Sequence, residues 1–224
     1  MGYPYVCSWI QKGGVMIDYE KLNLAGGQVK IDGFMTIDRV MAKNVDKVVD
    51  LEDFPWPIKS NSAKEIICSH YIEHIPMETY GKRLVKLIQA SYSWEDFRER
   101  VREIDLDGPS DGLILFMDEV YRILKPGGTA TFATPYYQGG ILWQDPTHRR
   151  GITELTYKYF DKQWRDNSKL NHYGIKSDFD VKLKGYDMFP DIKFTTDDEK
   201  KFGMRCYNNV IISMYVVLTK KHVI

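Results

Sequence analysis

The sequence predicts an α/β fold, an open and mostly parallel sheet of seven strands with one antiparallel strand and helices on both faces. Three observations carry that expectation. Residues Lys21 to Asp38 pack a short apolar strand, a small-residue turn and a second strand ending on a carboxylate. Leu113 to Leu124 has helical periodicity and is stopped by Lys125-Pro126-Gly127-Gly128, after which Thr129 to Thr134 reads as a strand. The tail from Tyr207 to Thr219 is β-rich and suits antiparallel pairing with a strand near Lys182 to Tyr186.

In chain order, Leu22 and Leu24 are the apolar positions of a buried first strand, and Ala25-Gly26-Gly27 lets the backbone turn sharply and approach a ligand. Phe34 to Ile37 form the second strand. Asp38 stands at its carboxyl end, where an open α/β sheet presents ligand-binding groups, and a carboxylate there can accept both hydroxyls of a ribose. Val45 to Asp50 reads as a third strand, and the two prolines of Leu51 to Ile58 make a rigid loop. Ala63 to Ser69 is the fourth, with Ser69 and His70 at its tip and His70 to Ile75 leading into a helix or turn. Met77 to Asp107 is charged, aromatic and helical in pattern, with Tyr80, Leu84, Leu87 and Ile88 on one face. It reads as a solvated helical insertion, at about 76–111, in a single domain spanning 1–224.

With 224 residues and 43% apolar content, the chain can bury one sizeable core. Its 31 basic and 31 acidic side chains cancel, so no overall field draws it toward nucleic acid or an anionic membrane. Cys7, Cys68 and Cys206 are few, odd in number and far apart, which fits ordinary thiols in a reducing compartment. No stretch approaches the roughly 18 apolar residues of a membrane span, and the first residues lack a signal-peptide layout. The expected location is the cytoplasm, and the expected partner is a small-molecule substrate. Oligomeric state is not encoded in any pattern seen here.

Six pieces then occur in a fixed order between about residues 21 and 160. They are Leu22-Asn23-Leu24-Ala25-Gly26-Gly27, Gly33-Phe34 to Asp38, Val48-Val49-Asp50-Leu51, Ile67-Cys68-Ser69-His70-Tyr71-Ile72-Glu73-His74-Ile75, Glu119 to Gly128, and Gln144-Asp145-Pro146-Thr147-His148-Arg149-Arg150. Singly each is weak; the ordered set is specific. It resembles the class I S-adenosylmethionine-dependent methyltransferases, and within them the small-molecule and glycan-related group with a Leu-Asn-Leu-Gly-Cys-Gly opening. The resemblance implies a Rossmann-like sheet with S-adenosyl-L-methionine as cofactor. Asn23, Leu24, Ala25, Gly26 and Gly27 would lie under its methionine part and Asp38 would bind the ribose. Asp50 and Leu51 would border the adenine, and Ser69 with His70 would face the sulfonium. Ala25 departs from the family, standing in the place of its first glycine.

Methyl transfer from a sulfonium is an in-line displacement on an activated donor, so holding the nucleophile in line matters more than a dedicated base. Should a hydroxyl acceptor need a base, His70, His148 and Asp145 are the catalytic candidates, with His74 beside them. In the family the segment around Asp145 to Arg149 crosses the mouth of the site, so Tyr136, His148 and Arg149 are candidates for substrate contact. The same residues also suit a helix entry with a capping Asp or Thr. His70 and His74 flank Glu73, but a zinc-protease helix reads His-Glu-x-x-His, and here the acid adjoins the second histidine. A capping and packing role for His74 is expected, and no metal. Phe54 and Trp56 either stack near the adenine or plug the sheet edge.

The function so implied is methyl transfer to a small polar acceptor, a sugar or glycan precursor being one candidate. A nicotinamide oxidoreductase would need Gly-x-Gly-x-x-Gly opening a helix, and Asp38 follows Gly27 too closely to leave room for one. A base-modifying nucleic-acid methyltransferase would carry an Asp/Asn-Pro-Pro-Tyr tetrad where this chain has Cys68-Ser69-His70-Tyr71. A non-catalytic binding or scaffold protein on the same fold remains the alternative, and Ala25 is its chief support.

Overall fold

The computed structural model describes residues 16–102 and 109–222. Its centre is one sheet of β1 (Lys21–Leu24), β2 (Met35–Asp38), β3 (Lys47–Val48), β4 (Ala63–Ser69), β5 (Leu124–Pro135), β6 (Phe179–Met188) and β7 (Ile211–Lys220). The strand order is β3-β2-β1-β4-β5-β7-β6. β1 pairs in parallel with both β2 and β4, while β7 alone runs against its neighbours β5 and β6. The single antiparallel strand is therefore the C-terminal one, and the segment near Lys182 to Tyr186 is its edge partner. Along β1 and β4 the apolar residues Leu22, Leu24, Ile66 and Cys68 are buried, and on β7 Met214, Val216 and Leu218 repeat at the period of a pleated strand.

Helices surround this sheet. α1 (Tyr80–Ala90), α2 (Trp94–Arg102) and α3 (Gly112–Ile123) lie between β4 and β5; α4 (Gly140–Gln144), α5 (Glu154–Lys158) and α6 (Lys162–Ser168) follow β5; α7 (Asp197–Cys206) precedes β7. α3 begins where the Asp111 carboxylate accepts the amides of Leu113 and Ile114, and it buries Phe116, Val120 and Ile123 in the core. Two expectations shift. The third strand shrinks to Lys47–Val48, because both residues are exposed at the sheet edge. The Lys125 to Gly128 turn becomes an irregular stretch within β5: partners advance from Ala63↔Leu124 to Glu65↔Thr129, with Gly127 at φ 77°. On α1, Leu84 and Ile88 are exposed. Part of the insertion, residues 103–108, lies outside the described residues, as does Cys7. Cys68 and Cys206 are free thiols, and no described helix is long and apolar enough to cross a membrane.

The connections from β1 through β4 contain no α-helix. In their place the proline-braced loop plugs the core with Trp56, 1% exposed, whose ring meets Phe116 edge-on at 5.1 Å. Trp56 is thus a plug and not an adenine platform. A buried ion pair fastens it: Arg122 Nε and Nη2 donate to the two Glu119 oxygens at 2.7 Å each. Glu119 Oε2 also accepts the Trp56 amide at 2.8 Å, and Arg122 donates to the carbonyls of Ile58 and Trp56. A second buried acid, Asp118, accepts the amides of Lys176 and Ser177 at 3.1 and 2.9 Å, and burial nevertheless pushes its carboxyl up to about 6.

Replacing Glu119 by Gln strands the Arg122 charge, and we expect a loss of about 3 kcal/mol in denaturant unfolding. A loss under about 1 kcal/mol would show that the pair does not fasten the loop. For Asp118 the folded carboxyl titrates above the unfolded one, so the stabilisation present in acid is lost as pH rises through 6. Asp118→Asn keeps an acceptor but cannot ionise. Relative to wild type it should gain up to about 3 kcal/mol between pH 4 and pH 7; a pH-independent difference in melting would refute this.

Candidate active site

The register fixes which residues share an edge. Leu24 stands level with Ile37 on one side and Cys68 on the other, and Ser69 pairs with Ala133. Ala25, Asp38 and Ser69 therefore leave the sheet side by side, at the point where the strand order reverses and where open α/β sheets bind ligands.

The turn after β1 is tightly made. Ala25 has φ 52° and Gly27 φ 54°, both left-handed, so Ala25 adopts a backbone shape that glycine adopts more easily. At Gly26 a Cβ would lie 2.2 Å from Asn23 Nδ2 and 2.7 Å from Thr36 Cγ2, which leaves glycine as the residue that fits. Asn23 is buried and donates Nδ2 to the Val29 carbonyl at 3.3 Å; its side chain braces the turn from beneath. Asp38 is oriented by two backbone donors, the Gly27 amide on Oδ2 at 2.9 Å and the Val40 amide on Oδ1 at 3.1 Å. Each oxygen has a second lone pair for a hydroxyl donor.

Asp50 accepts the Glu52 amide at 3.0 Å, and Leu51 is 3% exposed with its carbonyl accepting Trp56 Nε1 at 3.1 Å. This segment runs beside β2 through β3. Ser69 is exposed. His70 is half-exposed with φ 51°, and its amide donates to the Ala133 carbonyl at 2.8 Å, which turns the chain back over the sheet end.

Beyond His70 a 3₁₀ turn, Ile72–His74, brings Glu73 inward, 0% exposed. Neither of its carboxylate oxygens has a hydrogen-bond partner. Its neighbours are histidines: His70 Nδ1 at 3.6 Å and His148 Nε2 at 4.0 Å from Oε1. The Glu73 carboxylate beside His70 holds that imidazole's pKa above its ordinary value, against the effect of burial. His148 is drawn in by its Nδ1 bond to the Leu142 carbonyl at 2.6 Å and by the Arg149 amide, which donates to the Glu73 carbonyl at 2.7 Å. Asp145 approaches His148 Nε2 at 3.8 Å, and the Thr147 hydroxyl and amide hold its carboxyl below the ordinary carboxylate range.

Of the three catalytic candidates, His70 and His148 thus flank one buried acid, Glu73, and Asp145 adjoins His148. The signal for Glu73 was present in His70-Tyr71-Ile72-Glu73-His74, but its burial was not. The substrate candidates divide. The Arg149 side chain is exposed, whereas Tyr136 is 7% exposed and donates its hydroxyl to Glu154 Oε1 at 3.1 Å, a partner shared with the Tyr186 hydroxyl. Burial raises the Tyr136 phenol, so it acts as a neutral donor to Glu154. Arg150 is committed to the scaffold, pairing with Asp111 at 2.9 Å and donating to the Ile75 carbonyl at 3.1 Å.

No family model and no curated protein matches this chain. Among solved structures it is similar to a SAM dependent methyltransferase from Archaeoglobus fulgidus, at 12% identity over 96% of this chain and 91% of that one, with a TM-score of 0.50. It is also similar to the YcgJ protein from Bacillus subtilis, at 12% identity over 96% of this chain and 97% of that one, with a TM-score of 0.47. The likeness to the Archaeoglobus protein is one of fold: a Rossmann-like, seven-stranded sheet of the methyltransferase type, mostly parallel with one antiparallel strand.

Proposed function

We propose that the chain is an S-adenosyl-L-methionine-dependent methyltransferase that acts on a small polar acceptor, a sugar or glycan precursor being one candidate. The observation that carries this reading is the Asp38 carboxylate at the strand-order reversal, oriented by the Gly27 and Val40 amides beside a turn built for close approach. On this reading Asp38 accepts the two ribose hydroxyls, and Asn23 to Gly27 pass beneath the methionine part. Asp50 and Leu51 border the adenine, while Ser69 and His70 face the sulfonium.

The chemistry asks little of side chains. Bound there, S-adenosyl-L-methionine would supply a methyl group on sulfur already activated for displacement and would leave as S-adenosylhomocysteine, while His70, His148 or Asp145 would take up the proton of a hydroxyl acceptor. The chain's own contribution is then to hold the acceptor atom in line at near-attack distance. His70, Asp145, His148 and the exposed Arg149 occupy the β4 and post-β5 side, where an acceptor would meet the donor methyl. Left-handed φ at Ala25 bears on the scaffold alternative, because the backbone takes the glycine-like shape despite the methyl group.

Calorimetric titration with S-adenosylmethionine and S-adenosylhomocysteine tests the proposal: an enzyme binds both. No heat from either ligand supports a binding or scaffold role instead. Asp38→Ala should lower affinity for both by about 100-fold or more while the circular dichroism spectrum stays that of wild type; unchanged affinity would remove Asp38 from the site. Ala25→Gly relieves the left-handed strain and should stabilise the fold by about 1 kcal/mol without weakening the cofactor. A lower melting temperature in that variant would contradict the strain.

A further inference from the structure

Glu73 is a carboxylate excluded from water with no hydrogen-bond donor on either oxygen, an arrangement that costs several kcal/mol unless a cation balances it. One ring nitrogen of His74, one of His148 and a Glu73 oxygen all lie within 4.8 Å of one another. The 4.0 Å from Glu73 Oε1 to His148 Nε2 is too long for a hydrogen bond. It is nevertheless a distance that two metal–ligand bonds of about 2.1 Å can span.

The proton inventory points the same way. His148 Nδ1 lies 2.6 Å from the Leu142 carbonyl, which can only accept, so Nδ1 carries a hydrogen, and in the neutral imidazole the lone pair is on Nε2, toward Glu73 and Asp145. The Thr147 hydroxyl donates to Asp145 Oδ1 at 2.6 Å, so its oxygen accepts from His74 Nδ1 at 2.9 Å, which in the neutral imidazole leaves the lone pair on Nε2. Both imidazoles therefore have the second partner that ligating histidines have, a carbonyl for one and a hydroxyl backed by a carboxylate for the other. The two rings meet edge to face with centroids 4.5 Å apart.

We propose that Glu73, His74 and His148 bind one divalent first-row transition-metal ion, of the class served by two imidazoles and a carboxylate with open positions. Asp145, 3.8 Å from His148 Nε2, and His70, 3.6 Å from Glu73, flank the site. The open positions suit an acceptor that offers two adjacent oxygens, such as a vicinal diol. That second statement rests on the methyltransferase reading; the ion site itself does not.

The test uses the full chain stripped with chelator and dialysed, titrated with Zn²⁺ by calorimetry and with Co²⁺ by visible absorption. One ion per chain is expected, with cobalt bands of nitrogen and oxygen ligation. Glu73→Gln, His74→Ala and His148→Ala should each weaken binding by at least about 100-fold, and Thr147→Ala by about 10-fold through the lost orientation of His74. S-adenosylhomocysteine binding, measured on every variant, reports folding and keeps the two readings apart. A chain that takes up neither ion overturns the site. Equal ion affinity in wild type and all three ligand variants also overturns it. Ion binding without any response to S-adenosylhomocysteine sustains the site and counts against methyl transfer.

Discussion

Parallel pairing of β1 with β2 on one side and β4 on the other is the constraint from which the functional geometry follows. A parallel pair aligns its carboxyl ends, so three consecutive strands deliver three chain exits to one edge. With exits so close, each strand end must turn abruptly. Ala25 and His70 do so with left-handed backbone, and Gly27 adds a third such residue. The acid closing β2 is then within reach of the Gly27 amide, and the residues after β4 fold back until Glu73 is sealed from solvent.

Charge inside the molecule is handled unevenly. Glu119 is met by a guanidinium and by the Trp56 amide, and Lys220, with its pKa lowered to about 8 by burial, donates to Asn61 and to the carbonyls of Tyr121 and Leu124. These groups join α3 to the loop before β4 and to the end of β7. Glu73 stands apart because its neighbours are imidazoles at distances longer than hydrogen bonds. Glu119, Asp118 and Lys220 are thus tied into the scaffold by hydrogen bonds, whereas neither Glu73 oxygen has one.

Much of the sheet could be read from the chain because its cues are local. Leu22 and Leu24 alternate with polar neighbours, and the run from Ala63 to Ser69 is rich in β-branched residues. The tail at Ile211–Lys220 could be paired with Phe179–Met188 on the strength of the same pleat period. Helix α7 was legible too, since Thr196 and Glu199 form a capping box, yet it was not singled out. What was hidden depends on distance in sequence. His74 reaches Thr147 across 73 positions, and neither the period of a strand nor that of a helix brings His148 to Glu73. The hydroxyl of Tyr136, a candidate for substrate contact, bonds Glu154, a partner shared with Tyr186, and spacing in the sequence does not bring these elements together.

The helix-free connections from β1 to β4 have a thermodynamic corollary. With no helix in these connections, the edge carrying Asp38 depends on its loops for resistance to local opening. A ligand seated there would stabilise that margin, and its binding energy would reappear as local rigidity in the strand ends of β1 and β2. Occupancy and order are thereby coupled along one margin, with the helix-rich half around β5 and β7 serving as a fixed frame.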